Sequence, residues 1–343
     1  MKVLFIQPGC REYRVKLFEE LSQSIGGVDL LHFGPRKFNG NQTVSENEGR
    51  KLKISKFHWI RGLHRHVKDY DAVVGMFDPH WLNVFLLPIF FNKKIIFWGH
   101  GKGKSGMLNI VRRTLGKRAK AVITYDEKGK AELVKLGIDT QKVFIANNTQ
   151  HVPNSSDTSA LPKNSFIYVG RIQARKKVED LLEAFAMAKS QLPAGTRITV
   201  IGDGDHLKSL KAKAQELQIA SSVDFVAGTT DAEELKAHFS KAYAYVSPGH
   251  VGLGVLHSFA YGVPVVTYKG DHHAPEYHNI DNEISGLLTE PKVAELAQAL
   301  VKITTGGMYR QMGHTAYGHY AEKRKISQMV DAFKEAIYYT HTS

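Results

Sequence analysis

The chain of 343 residues contains one cysteine, Cys10. A single thiol excludes an intramolecular disulfide and a cysteine-built zinc site, and it fits a reducing compartment. Long apolar runs are also missing. None approaches the roughly 18 residues of a spanning helix, and the longest, WLNVFLLPIFF at 81–91, is broken by Asn83 and Pro88. The opening MKVLFIQPGC turns polar too soon for a secretory signal. The expectation is a protein that is soluble or rests on a membrane surface. There is no low-complexity tract and no short repeat, and 43% hydrophobic with 23% charged residues excludes a disordered chain.

Acidic residues are scarce in one half only. Residues 1–150 hold 26 Lys and Arg against 13 Asp and Glu, whereas the remainder is balanced at 20 of each. The whole net charge of +13 therefore sits in the first half. Such asymmetry implies a surface that meets anions: nucleic acid, anionic lipid or a phosphorylated substrate.

The length suggests about two domains. Short β-branched runs alternate with amphipathic stretches, which predicts parallel sheets covered by helices. In the first half the strands are expected at 3–7, 28–33, 72–77, 94–99, 121–125 and 143–147. The pattern restarts at 165–170, 197–202, 223–228, 242–247, 263–268 and 285–290. Between the halves, 151–164 is rich in Ser, Asn, Thr and Pro and reads as a linker. The division is then a domain at 1–150, the linker, a domain at 165–325 and a C-terminal helix within 326–343 that could return to the first domain. The fold class is α/β with two doubly wound, Rossmann-like domains. Ligands of such sheets bind at the carboxyl ends of the strands, so the cleft between the domains is the expected site.

Several segments could carry chemistry. SFIYVG runs into RIQARKK, placing Arg171 at a strand end and Lys176 just before a helix. Cations beside a helix start suit a diphosphate; a solvated basic turn is the alternative. Gly202-Asp203-Gly204-Asp205 lacks the third glycine of a dinucleotide loop, Leu207 standing in its place, and reads as a turn with Asp205 capping a helix. Residues 247–264 carry Gly249, Gly252 and Gly254 before an apolar helix that holds His257, and glycines there let backbone approach a ligand. In DHHAPEYH, the residues His272, His273, Glu276 and His278 could converge on a metal, or form only a polar loop. His100 and Gly101 end a strand beside Lys102, where a neutral imidazole could bond a sugar hydroxyl. The helix expected at 107–120 mixes apolar residues with five bases. It should lay its apolar side on the sheet and leave its bases for lipid headgroups.

Taken together these segments resemble the retaining family-4 glycosyltransferases of the two-domain GT-B fold. YVGRIQARKKVEDLLEAF, VIGDGDHLKSL, VDFVAGTTDAEEL, SPGHVGLGVLHSFAYGVPVVT and APEYHNIDNEISGLLTEP follow the family's order. EYRVKLFEEL and WGHGKGK match more weakly. The chain looks like the branch that builds bacterial surface polysaccharides, such as capsule or lipopolysaccharide.

The resemblance implies transfer of a sugar from a UDP- or GDP-sugar to a saccharide or lipid-diphosphate-linked acceptor, with retention. Arg171, Lys176 and His100 would be catalytic, with two fixed cations in place of a metal, so no metal or cofactor is expected. Gly204, Ala227, Gly249, His250, Gly252, Leu253, Gly254, His257 and Glu276 would bind the donor. Gly9, Arg14, Gly101 and Lys102 would lie on the acceptor side. The family's two donor-segment glutamates fall on Gly249 and His257 here. A nucleotide-sugar epimerase of the same fold and a non-catalytic nucleotide- or polyanion-binding homologue remain alternatives. The basic half is expected to address an anionic membrane from the cytoplasmic side rather than nucleic acid, for which no reading motif is present.

Overall fold

The computed structural model describes residues 1–38, 44–101, 103, 106–270 and 272–341. They form two compact units, Met1–His151 with Ile326–Ser343, and Val152–Lys325.

The first unit has strands β1 (Val3–Ile6), β2 (Val28–His32), β3 (Val44–Glu48), β4 (Lys51–Ile54), β5 (Phe57–Ile60), β6 (Ala72–Met76), β7 (Ile95–Trp98), β8 (Ala121–Thr124) and β9 (Val143–Ile145). Its helices are α1 (Val15–Ile25), α2 (Leu63–Lys68), α3 (Leu82–Phe85), α4 (Leu87–Phe90), α5 (Gly106–Arg118) and α6 (Glu127–Lys135). Seven strands make one parallel sheet in the order β3-β2-β1-β6-β7-β8-β9. VLFI, AVVGM, IIFW and AVIT are buried along their whole length, as strands covered on both faces must be. The antiparallel hairpin β4–β5 stands apart. It and β3 have mostly exposed or half-buried residues, so they carry no apolar run that sequence patterning could detect.

The second unit has strands β10 (Ser165–Val169), β11 (Arg197–Ile201), β12 (Val223–Val226), β13 (Ala242–Val246), β14 (Val265–Tyr268) and β15 (Gly286–Thr289). Its helices are α7 (Val178–Ala188), α8 (Leu207–Glu216), α9 (Ala232–Phe239), α10 (Gly254–Phe259), α11 (Val293–Thr304) and α12 (Met308–Lys323). The sheet order is β12-β11-β10-β13-β14-β15, again parallel. One face packs Phe166, Phe185 and Leu300, and the other packs Phe239, Phe259 and Tyr261. Asp231 caps α9 by accepting from the Glu234 amide, which satisfies one of the four amides a helix start leaves open.

The last helix, α13 (Ile326–Tyr338), packs on α1 in the first unit. Its Phe333 is fully buried, 5.7 Å from the Phe5 ring and edge-on to Trp98 at 4.8 Å. Cys10 is buried nearby, where loss of solvent and then Glu46 push its thiol up to about 12.

Two expectations need correction. The segment 151–164 is not an open linker, because from Val152 onward it belongs to the second unit. Val152, Thr158 and Ser159 are buried, the Thr158 hydroxyl donates to the Tyr261 carbonyl at 2.6 Å, and the Ser156 amide donates to the Ala260 carbonyl at 3.0 Å. Its polar residues are spent on backbone partners rather than on water. The helix at 107–120 does not lay its apolar side on the sheet. α5 is anchored through Asn109, Leu115 and Gly116, while Met107 is 78% exposed and Ile110 66%. Asn109 fixes that geometry by exchanging both amide bonds with the Gly103 backbone at 2.8 and 2.9 Å. No helix among the described residues is long and apolar enough to cross a membrane.

Phe333→Ala is expected to cost about 3–5 kcal/mol, as for other buried aromatic truncations, measured by denaturant unfolding. A loss below about 1 kcal/mol would mean that α13 does not share the first unit's core.

Candidate functional site

Counted from β10, the second sheet runs 3-2-1-4-5-6, so its connections reverse between β10 and β13. In a sheet of this kind a ligand crevice opens at the carboxyl ends of those two strands. Gly170 and Arg171 follow β10, and residues 247–254 follow β13.

Hydrogen bonds join these two loops. After the exposed Arg171, Ala174–Lys176 make one 3-10 turn, Lys177 takes left-handed backbone at φ 50°, and α7 begins. The Gly249 amide donates to the Lys176 carbonyl and the His250 amide to the Arg175 carbonyl, both at 3.0 Å. The Lys176 ammonium donates back to the His250 carbonyl at 2.5 Å. Burial, then repulsion by Arg175, pushes the lysine down to about 8, against the pull of the buried Glu276 carboxylate.

That packing explains Gly249. A Cβ there would collide with the Arg175 carbonyl oxygen and lie 2.8 Å from that of Lys176. The position matching the family's first glutamate therefore has no space for a side chain. Gly254 is similarly pressed on Tyr245, whose Cζ would be 2.8 Å from a Cβ. Gly252 is different: Ala274 Cβ and a Glu276 carboxylate oxygen would lie at 3.6 and 3.7 Å, ordinary contacts.

His273 supports the same loop. Its Nδ1 accepts from the Val251 amide at 3.1 Å, its Nε2 bonds the Tyr268 carbonyl at 2.8 Å, and its ring stacks on Tyr277 at 4.4 Å. Both nitrogens are thus spent, so His273 is no metal ligand. Among the described residues no three of His, Cys, Asp and Glu converge as a metal-binding group; Asp271 lies outside them. The amides of 249–251 are all engaged and the Gly252 and Leu253 carbonyls accept from the Val255 and His257 amides, which leaves the amides of 252–254, including that of Leu253, to meet a ligand.

His257 stands between Phe239 and Tyr261, with ring centroids at 5.1 and 5.6 Å. Burial pushes its imidazole down to about 4, so it is neutral at pH 7. His250 is half-buried and its pKa also falls, through burial and then Lys176 and Arg175.

Beside these loops lies a cleft of about 660 Å³, lined by Gly170, Arg171, Gln173, Asp203, Gly204, Gly228 and Thr229 among others. Gly202, at φ 148°, packs its Cα against the Gly170 peptide, leaving no space for a side chain. The Asp203 carboxylate accepts from the Gly228 amide at 2.9 Å, tying the loops after β11 and β12. Ala227 is exposed beside it but does not line the cleft. Asp205 does not cap α8: His206 holds that position, and no side chain caps it. The turn is instead held through Asp203, whose role sequence spacing could not show because its partner lies 25 residues on.

In the first unit, His100 is an exposed residue whose ring lies 4.9 Å from Tyr125, and partial loss of solvent lowers its pKa. Gly101 is buried against Gly129 of α6. Gly9 has open space where a side chain would stand. Arg14 is not an exposed acceptor contact. It is 8% exposed, bonds Asn148 Oδ1 at 2.5 Å and Met329 Sδ at 3.3 Å, and lies over Trp98 at 4.7 Å. Lys102 lies outside the described residues.

Solved structures similar to this chain over nearly its whole length include GT-B glycosyltransferases, and GT-B is the fold of this chain. HepE of Anabaena, solved in complex with UDP, is 16% identical with a TM-score of 0.73, over 98% of this chain and 100% of that one. The lipopolysaccharide outer core galactosyltransferase WaaB is 15% identical with a TM-score of 0.69, over 98% and 99%. Residues 153–319 match the family Glycosyl transferases group 1. An uncharacterized glycosyltransferase of Haemophilus influenzae is 25% identical over 276 residues, 76% of this chain and 75% of that relative.

Gly249→Ala is expected to lower stability by about 1–3 kcal/mol, as overpacking does, while Gly252→Ala stays within about 0.5 kcal/mol of the parent. Thermal unfolding of the two variants, side by side, checks the difference; equal effects would contradict the packing. The pH response follows from His257, His273 and His319, each pushed down to about 4 mainly by burial. An unfolded histidine titrates near 6.5, so on acidification the unfolded chain takes up protons first. Stability is then full above about pH 6.5 and declines from there toward pH 4. A melting temperature that stays level between pH 7 and 4.5 would refute this.

Proposed function

We propose that the protein transfers a sugar, with retention, from a UDP- or GDP-sugar to a saccharide or lipid-diphosphate-linked acceptor of cell-surface polysaccharide synthesis. The observation that carries this reading is the pair Arg171 and Lys176. One lines the 660 Å³ cleft and the other ties the glycine loop at the strand-order reversal. The match of residues 153–319 to Glycosyl transferases group 1 and the UDP bound to HepE support it.

In this reading the diphosphate lies along Arg171 and Lys176, and negative charge grows on it as the sugar departs. Fixed cations aimed at that charge stabilise the transition state more than the ground state. They supply the compensation that a divalent metal would otherwise give, so transfer needs none. The neutral His257 bonds a ribose hydroxyl. The main chain of 252–254 reads the sugar where the first family glutamate is replaced by Gly249, and Glu276 sets the field beneath that loop. Gly204 and the 228–229 turn take the nucleoside. His100 and Gly101 belong to acceptor handling, at the cytoplasmic face of an anionic membrane.

Arg171→Ala and Lys176→Ala are each expected to lower kcat/KM by about 100-fold or more, on the scale of losing an oxyanion donor. Because Lys176 must be an ammonium, kcat/KM falls as pH rises through about 8, and Lys176→Arg moves that limb to higher pH. Steady-state assays with a nucleotide-sugar panel check both. Wild-type rates in the alanine variants would sink the assignment, and conversion of donor without acceptor would mean an epimerase.

A further inference from the structure

The first unit carries an apolar face that no other described residue covers. Leu86 is 38% exposed, Ile89 47% and Phe90 76%, at and within α4; on α5, Met107 is 78%, Ile110 66% and Val111 38% exposed. The two helices pack against each other, which makes one surface of the two groups. On α5 the residues recur at i, i+3 and i+4, a stripe along one helix face. A folded chain normally hides side chains this large, and such a contiguous patch marks an interaction site.

The charge around the patch selects the partner. From Pro79 to Tyr125 the chain holds nine Lys and Arg and no Asp or Glu. Lys93, Arg113, Lys117 and Arg118 are exposed there. Lys94 is not part of this set, because its ammonium is spent on the carbonyls of Val67, Lys68 and Tyr70. Apolar side chains framed by cations of one sign match the boundary between anionic headgroups and acyl chains.

We propose that α4 and α5 dock the protein in the plane of an anionic bilayer, with Phe90, Met107 and Ile110 entering the acyl boundary and the surrounding bases on the headgroups. This deepens the reading of a membrane-borne acceptor and rests on it for its purpose. The attachment itself is independent of sugar transfer. It also differs from adsorption through charge alone. Salt screens the bases, but it does not weaken burial of apolar side chains. Binding should therefore keep a salt-resistant part.

The test is co-sedimentation of the full chain with vesicles of phosphatidylglycerol and phosphatidylcholine, without donor, at about 0.1 M and about 0.5 M salt. The parent protein is expected to bind at both, more weakly at the higher. Phe90→Ser with Ile110→Ser should bind about tenfold or more weakly at low salt and lose the salt-resistant part. Arg113→Gln with Lys117→Gln should lose mainly the salt-sensitive part. Met107→Ser with Val111→Ser is an independent second apolar variant should the first not fold. An unchanged melting temperature and UDP-induced thermal shift show that each variant is intact and that its second unit is untouched. Parent-like vesicle binding by both apolar variants overturns the proposal. So does a parent dimer in light scattering that these substitutions split without changing vesicle binding, since the face would then join two copies. Failure of transfer with vesicle binding intact counts against the proposed reaction alone.

Discussion

The second unit depends on a reciprocal tie between the loops that follow β10 and β13. Two main-chain bonds run from 249 and 250 to 176 and 175, and the Lys176 ammonium returns one to the His250 carbonyl. A lysine in this place is held by carbonyl oxygen at its tip and kept from full solvation along its stem. It is therefore both a strut and a charge. Its lowered pKa shows the cost of that position; an anion bound beside it would offset the cost, because a nearby opposite charge favours the ammonium.

The same tie accounts for the departure from the family's glutamate pair. Loop 247–254 is drawn so close to the 175–176 peptide that position 249 accepts only glycine. The second position, His257, is enclosed by rings and neutral. In the proposed reading, a site that the resembled family organises by two carboxylates is organised here by main chain, a buried Glu276 and histidines that do not charge at pH 7. His273 is the clearest of these: with both ring nitrogens bonded, it holds the Val251 amide and the Tyr268 carbonyl at one spacing.

Much of the architecture was legible in the sequence. The central strands of both parallel sheets are apolar runs buried along most of their length, as strands covered by helices on both faces must be. The edge strand β3 and the hairpin β4–β5 were not legible, since exposed strands need no apolar pattern. The linker assignment failed for a related reason: Ser, Thr and Asn look alike whether they face water or bond a neighbouring backbone, as Ser156 and Thr158 do. In α5, periodicity located the helix and misjudged its burial, because an apolar stripe does not say which surface covers it.

The sequence by itself determined the alternation of strand and helix, the confinement of positive charge to the first half, and the cations and glycines at the strand ends. These are local properties, set by composition and by spacing along the chain. Tertiary structure decided that Gly249 admits no side chain, that Arg14 is a packing residue, that α13 completes the first unit and that α4 and α5 leave Phe90, Met107 and Ile110 uncovered. Each of those depends on what stands opposite a residue in space. In the ties at 176–250, 251–273 and 203–228 and in the Phe333 packing, the partner is a residue more than 20 positions away.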